Sequence, residues 1–211
     1  MDGDLRITVI APDARWLHKW YAGWRTANEK RGIPGTDIVE QMKIPLEHAA
    51  EALAETFSSP RIELLRAPPG APGVDGPRTA DLSPANLASI VTLFEYAGRR
   101  ILLTGDGRSD HIGAGLGRAG LLSEQPLRLD VLQLPHWGSE RNMSPGFLRA
   151  VTADHYVVVV PERYRSLHER TAQMIADARG DAPHAIHLVD AQASPCVIDL
   201  LKPRRRRRAR A

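Results

Sequence analysis

Two stretches decide the fold: Ile101-Leu102-Leu103-Thr104-Gly105-Asp106 and Leu129-Asp130-Val131-Leu132-Gln133-Leu134-Pro135-His136-Trp137-Gly138-Ser139. Each is an apolar run that stops abruptly in polar or turn-forming residues. Ile101–Leu103 is too short for a helix and reads as a buried strand that ends at Thr104-Gly105-Asp106. Leu129–Leu134 reads as the next strand, ending at Pro135-His136. Between them the spacing predicts a helix over 110–121, with Ile112, Leu116 and Ala119 turned inward.

The same alternation extends outward. Ser89–Tyr96 is a strand candidate, and Ala97-Gly98-Arg99 a turn. Tyr156–Val160 is a fully apolar strand, and 168–179 a helix with Ala172, Ile175 and Ala176 on one face. Two late strands are expected at Ala185–Val189 and Cys196–Leu201. Upstream, Leu5–Ile10 alternates and reads as a strand stopped by Ala11-Pro12-Asp13. Residues 14–30 predict a helix whose Trp16, Leu17, Trp20 and Trp24 pack the core, and 46–57 predict another. The Pro/Gly-rich run 67–78 is a loop, extending to about 84. There is no internal repeat. Strands alternating with helices imply a layered α/β domain over 1–202.

Composition narrows the setting. The chain has 211 residues, of which 43% are apolar, enough for one domain with a real core. No run approaches the roughly 20 apolar residues of a membrane span, so no membrane partner is expected. The Met1-Asp2-Gly3-Asp4 start lacks the features of a signal peptide. The single cysteine, Cys196, excludes an intrachain disulfide and a cysteine-built zinc site. A cytoplasmic location is the expectation. The net charge of +3 is unevenly placed. Residues 202–210 hold seven of the 28 basic side chains, and the remaining 21 face 25 acids, about −4 for the body. The tail 203–211 reads either as disordered and solubilising or as a nucleic-acid contact.

The chemistry concentrates at the two strand ends. A buried strand that ends in glycine and a carboxylate is a rigid platform for a ligand, and a neighbouring strand ending in histidine can face it. Carboxylate oxygen and imidazole nitrogen both suit zinc, and a carboxylate can bridge two ions. A bridged pair activates water and stabilises both oxygens of a phosphoester displacement. Spacing alone leaves the ordinary alternatives open, since an aspartate after glycine is often a turn residue and a lone histidine is seldom a ligand.

Four segments in order resemble metallo-β-lactamase-fold hydrolases: Asn86–Val91, Ile101–Asp106, Asp130–Ser139 and Ala153-Asp154-His155-Tyr156-Val157. The branch they resemble is the hydrolase domain of DNA-uptake competence proteins. The resemblance covers about 85–176, and Ile7–Pro12 looks like the preceding family strand. It implies an αββα sandwich, of which this chain carries the C-terminal half, and an active site with two zinc ions. By resemblance Asp106 matches the bridging aspartate, and His136 a metal ligand in a His-His-Gly-Ser segment whose second histidine is Trp137 here. Ser139 and Asn142 match polar residues beside the site and would bind substrate; the alternative is that they close the loop by side-chain to backbone hydrogen bonds.

Other family features are missing. The His-x-His-x-Asp-His motif should precede the strand at Ile7–Pro12, and the chain as given leaves no room for it. Asp110-His111-Ile112-Gly113 imitates its end, but Asp106 and Arg108 stand where histidines are required. His184 and His187 fall on opposite faces if their stretch is a strand. His18 and His48 are isolated, and His155 reads as structural. In the stretch Glu162–Leu167, Arg163 keeps the basic character of a family loop, and Tyr164 replaces its histidine. Two protein ligands fall short of the three that catalytic zinc sites usually have. Half a sandwich also leaves a sheet face in want of cover and edges open to pairing. Two expectations follow. One is a zinc-dependent hydrolase of phosphoesters or nucleic acid, completed by an N-terminal-half partner chain or a homo-oligomer. The other is a non-catalytic interaction module whose tail binds nucleic acid. A β-lactam substrate is not implied.

Overall fold

The computed structural model describes residues 5–30, 75–160, 167–190 and 198–200. The expected helix at 46–57, the tail 203–211, Arg163, Tyr164, His48 and Cys196 lie outside the described residues.

Among the described residues six strands form one sheet in sequence order. They are β1 (Arg6–Ala11), β2 (Val91–Tyr96), β3 (Arg99–Leu103), β4 (Leu127–Gln133), β5 (Val151–Val160) and β6 (Ala185–Asp190). The first three run antiparallel, and β3 through β6 run parallel. Ala97 and Gly98, with φ of 48° and 73°, close the β2–β3 hairpin as the two-residue turn that suits strand twist.

Helix α1 (Ala14–Lys30) follows β1, and the short α2 (Pro84–Leu87) precedes β2. Each parallel pair is joined through a helix: α3 (Ser109–Arg118), α4 (Pro145–Ala150) and α5 (Glu169–Arg179). Right-handed crossovers that advance in one direction across a sheet put their helices on one face. Consistent with this, α4 packs against both α3 and α5. Ser144 caps α4 by accepting the Phe147 N–H at 3.2 Å.

Strand register explains the core. Leu93, Leu102, Leu132 and Tyr156 stand in one row across β2 to β5, all fully buried. Ile112 and Leu116 of α3, Phe147 and Leu148 of α4 and Ile175 of α5 belong to the same apolar cluster. Gly115 lets α3 approach β1, because a Cβ there would collide with the Ile10 carbonyl oxygen and Cγ2. On the opposite face, Ile7, Phe94, Ile101, Val131, His155 and Ala185 form a row across all six strands. Ile7 is 51% exposed, Val9 63% and Leu103 40%.

Three expectations change. Helix α1 exists, but Leu17 and Trp20 are exposed rather than in the core. The helix-side face is already filled by α3, α4 and α5, which leaves α1 beside the short α2. Strand β5 begins at Val151, earlier than the apolar run, because Asp154 and His155 find partners in Arg179 and His187. Residues 198–200, inside the expected final strand, have no strand structure. No helix among the described residues is long and apolar enough to cross a membrane.

Candidate functional site

The carboxyl ends of parallel strands are where open α/β sheets place their ligands. Both Asp106 and His136 stand there, just past β3 and β4. Buried Thr104 ties the two strand ends together, its hydroxyl donating to the Gln133 carbonyl at 2.8 Å. Thr104 to Gly107 form a turn closed by the Gly107 N–H on the Thr104 carbonyl at 3.1 Å. Gly105, at φ 53°, occupies that turn, and the Ser89 hydroxyl accepts the Asp106 N–H at 3.2 Å. The His136 N–H then donates to the Gly105 carbonyl at 3.0 Å, so the two loops are stitched backbone to backbone.

The chain beyond β4 is unusual. His136, Trp137 and Gly138 follow one another in left-handed conformation, at φ 47°, 58° and 72°. For the two that are not glycine this costs about 1–2 kcal/mol each. Such conformations persist only where surrounding structure enforces them. Here Ser139 N–H donates to His136 O at 3.0 Å, Asn142 N–H to Ser139 O at 3.0 Å, and the Thr171 hydroxyl to Gly138 O at 2.8 Å. The turn lifts the His136 ring against Trp137, with ring centroids 4.7 Å apart.

Asn142 is the hub. It is fully buried, and its Nδ2 faces the Asp81 carboxylate at 3.1 Å and the carbonyls of Asp106 and Gly107 at 3.1 and 3.3 Å. All three neighbours are acceptors, so the amide orientation is fixed by chemistry. Its Oδ1 therefore faces His136 Nδ1 at 3.0 Å, and His136 must be the donor. In the neutral ring the lone pair is then on Nε2, the arrangement of a histidine held ready for a cation or a proton.

Asp81 was not among the residues singled out in the sequence. It is buried, and its carboxylate accepts Asn86 Nδ2 at 2.7 Å and the Ser83 N–H at 2.9 Å, with His136 Nδ1 3.7 Å away. Burial works against its charge. Hydrogen bonds from Asn86, Ser83 and Asn142, helped by His136, more than offset that and hold its pKa below the usual value. The sequence signal was local: Asp81 lies two residues before Ser83, the N-cap of α2, and its side chain accepts the Ser83 N–H.

Of the expected substrate contacts, Ser139 is half-buried and its hydroxyl accepts the Arg141 N–H at 3.2 Å, while Asn142 is the buried hub already described. The Asp110-His111 pair lies in the first turn of α3. The Arg108 guanidinium grips Asp110 at 2.6 and 2.9 Å, donates to His111 Nε2 at 2.9 Å and reaches the Asp81 carbonyl at 2.7 Å. The His111 ring stacks on Trp16 at 5.0 Å. Among the described residues no three His, Cys, Asp or Glu converge to hold a metal ion. Asp106 and His136 are one short of the usual three ligands, and the Asp81 carboxylate is committed to hydrogen bonds. These residues alone do not fit a two-zinc centre.

At the other end of the sheet, a cleft of about 540 Å³ is lined by Arg6, Arg99, Arg100 and Arg128 together with Glu95, Asp130 and Asp154. Arg99 pairs with Asp130 at 2.8 Å and Arg100 with Glu95 at 3.0 Å. In comparisons with known proteins, no family model and no curated protein matches this chain.

Proposed function

We propose that this chain forms one wall of a hydrolytic site of metallo-β-lactamase type, acting on phosphoesters or nucleic acid. The observation that carries the proposal is the Asn142 hub. It fixes His136 with its Nε2 lone pair available and holds the Asp106 backbone beside it, at adjacent ends of parallel strands. The αββα sandwich, two zinc ions and a cytoplasmic setting belong to the same proposal. His136 Nε2 would hold a cation or accept a proton, and the Asp106 carboxylate would supply negative charge beside it. The remaining ligands would come from an N-terminal-half partner chain or a second copy. The exposed Ile7, Val9 and Leu103 support such a partner, since an apolar strip on a sheet face invites cover.

The test is zinc retention by the untagged chain after dialysis, alone and with the product encoded just upstream, together with hydrolysis of a phosphodiester. Zinc retained with the partner, and lost in the Asp106→Asn/His136→Gln double variant, is the expected result. No zinc under either condition ends the proposal.

A second reading is a non-catalytic module that binds nucleic acid. It is favoured by the seven basic residues at 202–210. Phosphate contacts make binding fall steeply with salt. Salt-dependent DNA binding abolished by deleting 203–211 supports it, and binding indifferent to that deletion counts against it.

A further inference from the structure

We propose that His155 and His187 form a two-imidazole chelate for a divalent transition-metal ion, taking copper(II) or nickel(II) in preference to zinc. The pair is independent of the Asp106–His136 wall. It is built on neighbouring parallel strands, where His155 is in register with Ala185 and Val157 with His187, two residues further along. The alternation of β5 places both histidines on the sheet face opposite Tyr156 and the helices. His155 Nδ1 lies 3.0 Å from His187 Nε2, with ring centroids 5.2 Å apart. Both residues are half-buried.

Ligand type and spacing bear on the choice of metal. Two metal–nitrogen bonds of about 2.0–2.1 Å span about 2.9 Å when they meet at a right angle, and about 3.4 Å at the tetrahedral angle. The 3.0 Å of the metal-free pair is the length of an N–H···N hydrogen bond, and it is also close to the spacing of two adjacent nitrogens in tetragonal copper(II) or nickel(II) sites, so binding there requires the rings to turn rather than the strands to part. Zinc prefers tetrahedral geometry, in which the two nitrogens stand farther apart. The general affinity order for divalent ions also puts copper above zinc. Burial, then the neighbouring His155, pushes the His187 pKa down. Without metal, one proton lies between the rings. On binding, the ring that carries it moves the proton to its other nitrogen, so both rings stay neutral and both facing nitrogens present lone pairs. Water fills the remaining positions.

The experiment is titration of the untagged, metal-free full chain with copper(II), nickel(II) and zinc chloride, with electron paramagnetic resonance of the copper form. The expected order is copper, nickel, zinc, with coupling to two imidazole nitrogens. Losing even a supporting partner of a ligand costs about tenfold in metal affinity. His155→Ala and His187→Gln should each therefore weaken the copper site by at least that factor and leave coupling to one nitrogen. The Asp106→Asn/His136→Gln variant should keep the site intact, which separates this proposal from the hydrolytic one. If a variant fails to fold, wild-type chain treated with diethyl pyrocarbonate decides: copper should protect His155 and His187 from modification. Copper affinity untouched by both substitutions, a single coupled nitrogen in wild type, or no protection overturns the proposal. So does tighter zinc than copper.

Discussion

His136 Nδ1 and Asn142 Oδ1 lie 3.0 Å apart, and the other three contacts of the Asn142 amide leave His136 no role there but donor. A residue six positions along the chain thus sets the tautomer of the candidate ligand. Replacing Asn142 with Ala strips donors from the buried Asp81 carboxylate and from the carbonyls of Asp106 and Gly107. Each unmet buried group costs about 1–3 kcal/mol, partly relieved by water, so the expected loss is roughly 2–4 kcal/mol. Urea denaturation should show a lower midpoint at unchanged slope. Nitrogen-15 shifts of the His136 ring should also move from a pure Nδ1–H tautomer to a mixture. A loss well under 1 kcal/mol would mean that the hub does not hold the site.

Asp81 carries a pH signature. Its folded-state pKa lies below its ordinary value, as does that of Asp110, where the Arg108 hydrogen bond and nearby positive charge outweigh burial. A depressed carboxylate contributes stability that is fully present above its unfolded pKa of about 3.9 and is lost as pH falls through the folded pKa. The wild-type chain should therefore lose stability below about pH 4. Asp81→Asn should flatten that limb, because an amide does not titrate. Denaturation midpoints measured from pH 6 to pH 2 check this, and an acid limb as steep in the variant as in wild type refutes the assignment.

The sheet was legible because its strands are apolar runs bounded by glycine, proline or charge. The stops after Leu103 and Leu134 marked the site, since no apolar strand continues through Thr-Gly-Asp or Pro-His. Long-range pairings were not legible. Asp81 meets His136 from 55 positions away, and only the fold adds Asn142 to the local partners Ser83 and Asn86 on its carboxylate. Polar residues within β5 hid its first half, because their partners, Arg179 and His187, lie in later elements. In α1 the spacing made the helix legible, but periodicity carries no information about whether the sheet has room for a given face, and Leu17 and Trp20 stay exposed.

Two glycines test the packing of the helical layer. A Cβ on Gly115 would strike the Ile10 backbone, which cannot rotate away. Gly115→Ala should destabilise by about 1–3 kcal/mol through forced separation of α3 and β1. Gly23, within α1, has nothing within 4 Å of the same added atom. Gly23→Ala should stabilise by about 0.5–1 kcal/mol through lower unfolded-chain entropy. Thermal midpoints that shift in opposite directions are expected; equal shifts would mean that Gly115 does not set this contact.

Among the described residues strand β1 is an edge of the sheet, and it turns Ile7 and Val9 outward at 51% and 63% exposure. An edge strand with unpaired backbone groups and an apolar exposed face is a template for pairing with another chain. Natural sheets block such pairing with a charge, usually lysine. The chain should accordingly self-associate as its concentration rises, and Val9→Lys should shift it toward monomer. Because the Val9 side chain contributes little to the core, stability should change by no more than about 0.5 kcal/mol. Sedimentation velocity over a concentration series reads the first effect and denaturant midpoints read the second. Association unchanged in Val9→Lys would move the contact away from β1. A large loss of stability would show instead that Val9 is covered within the chain.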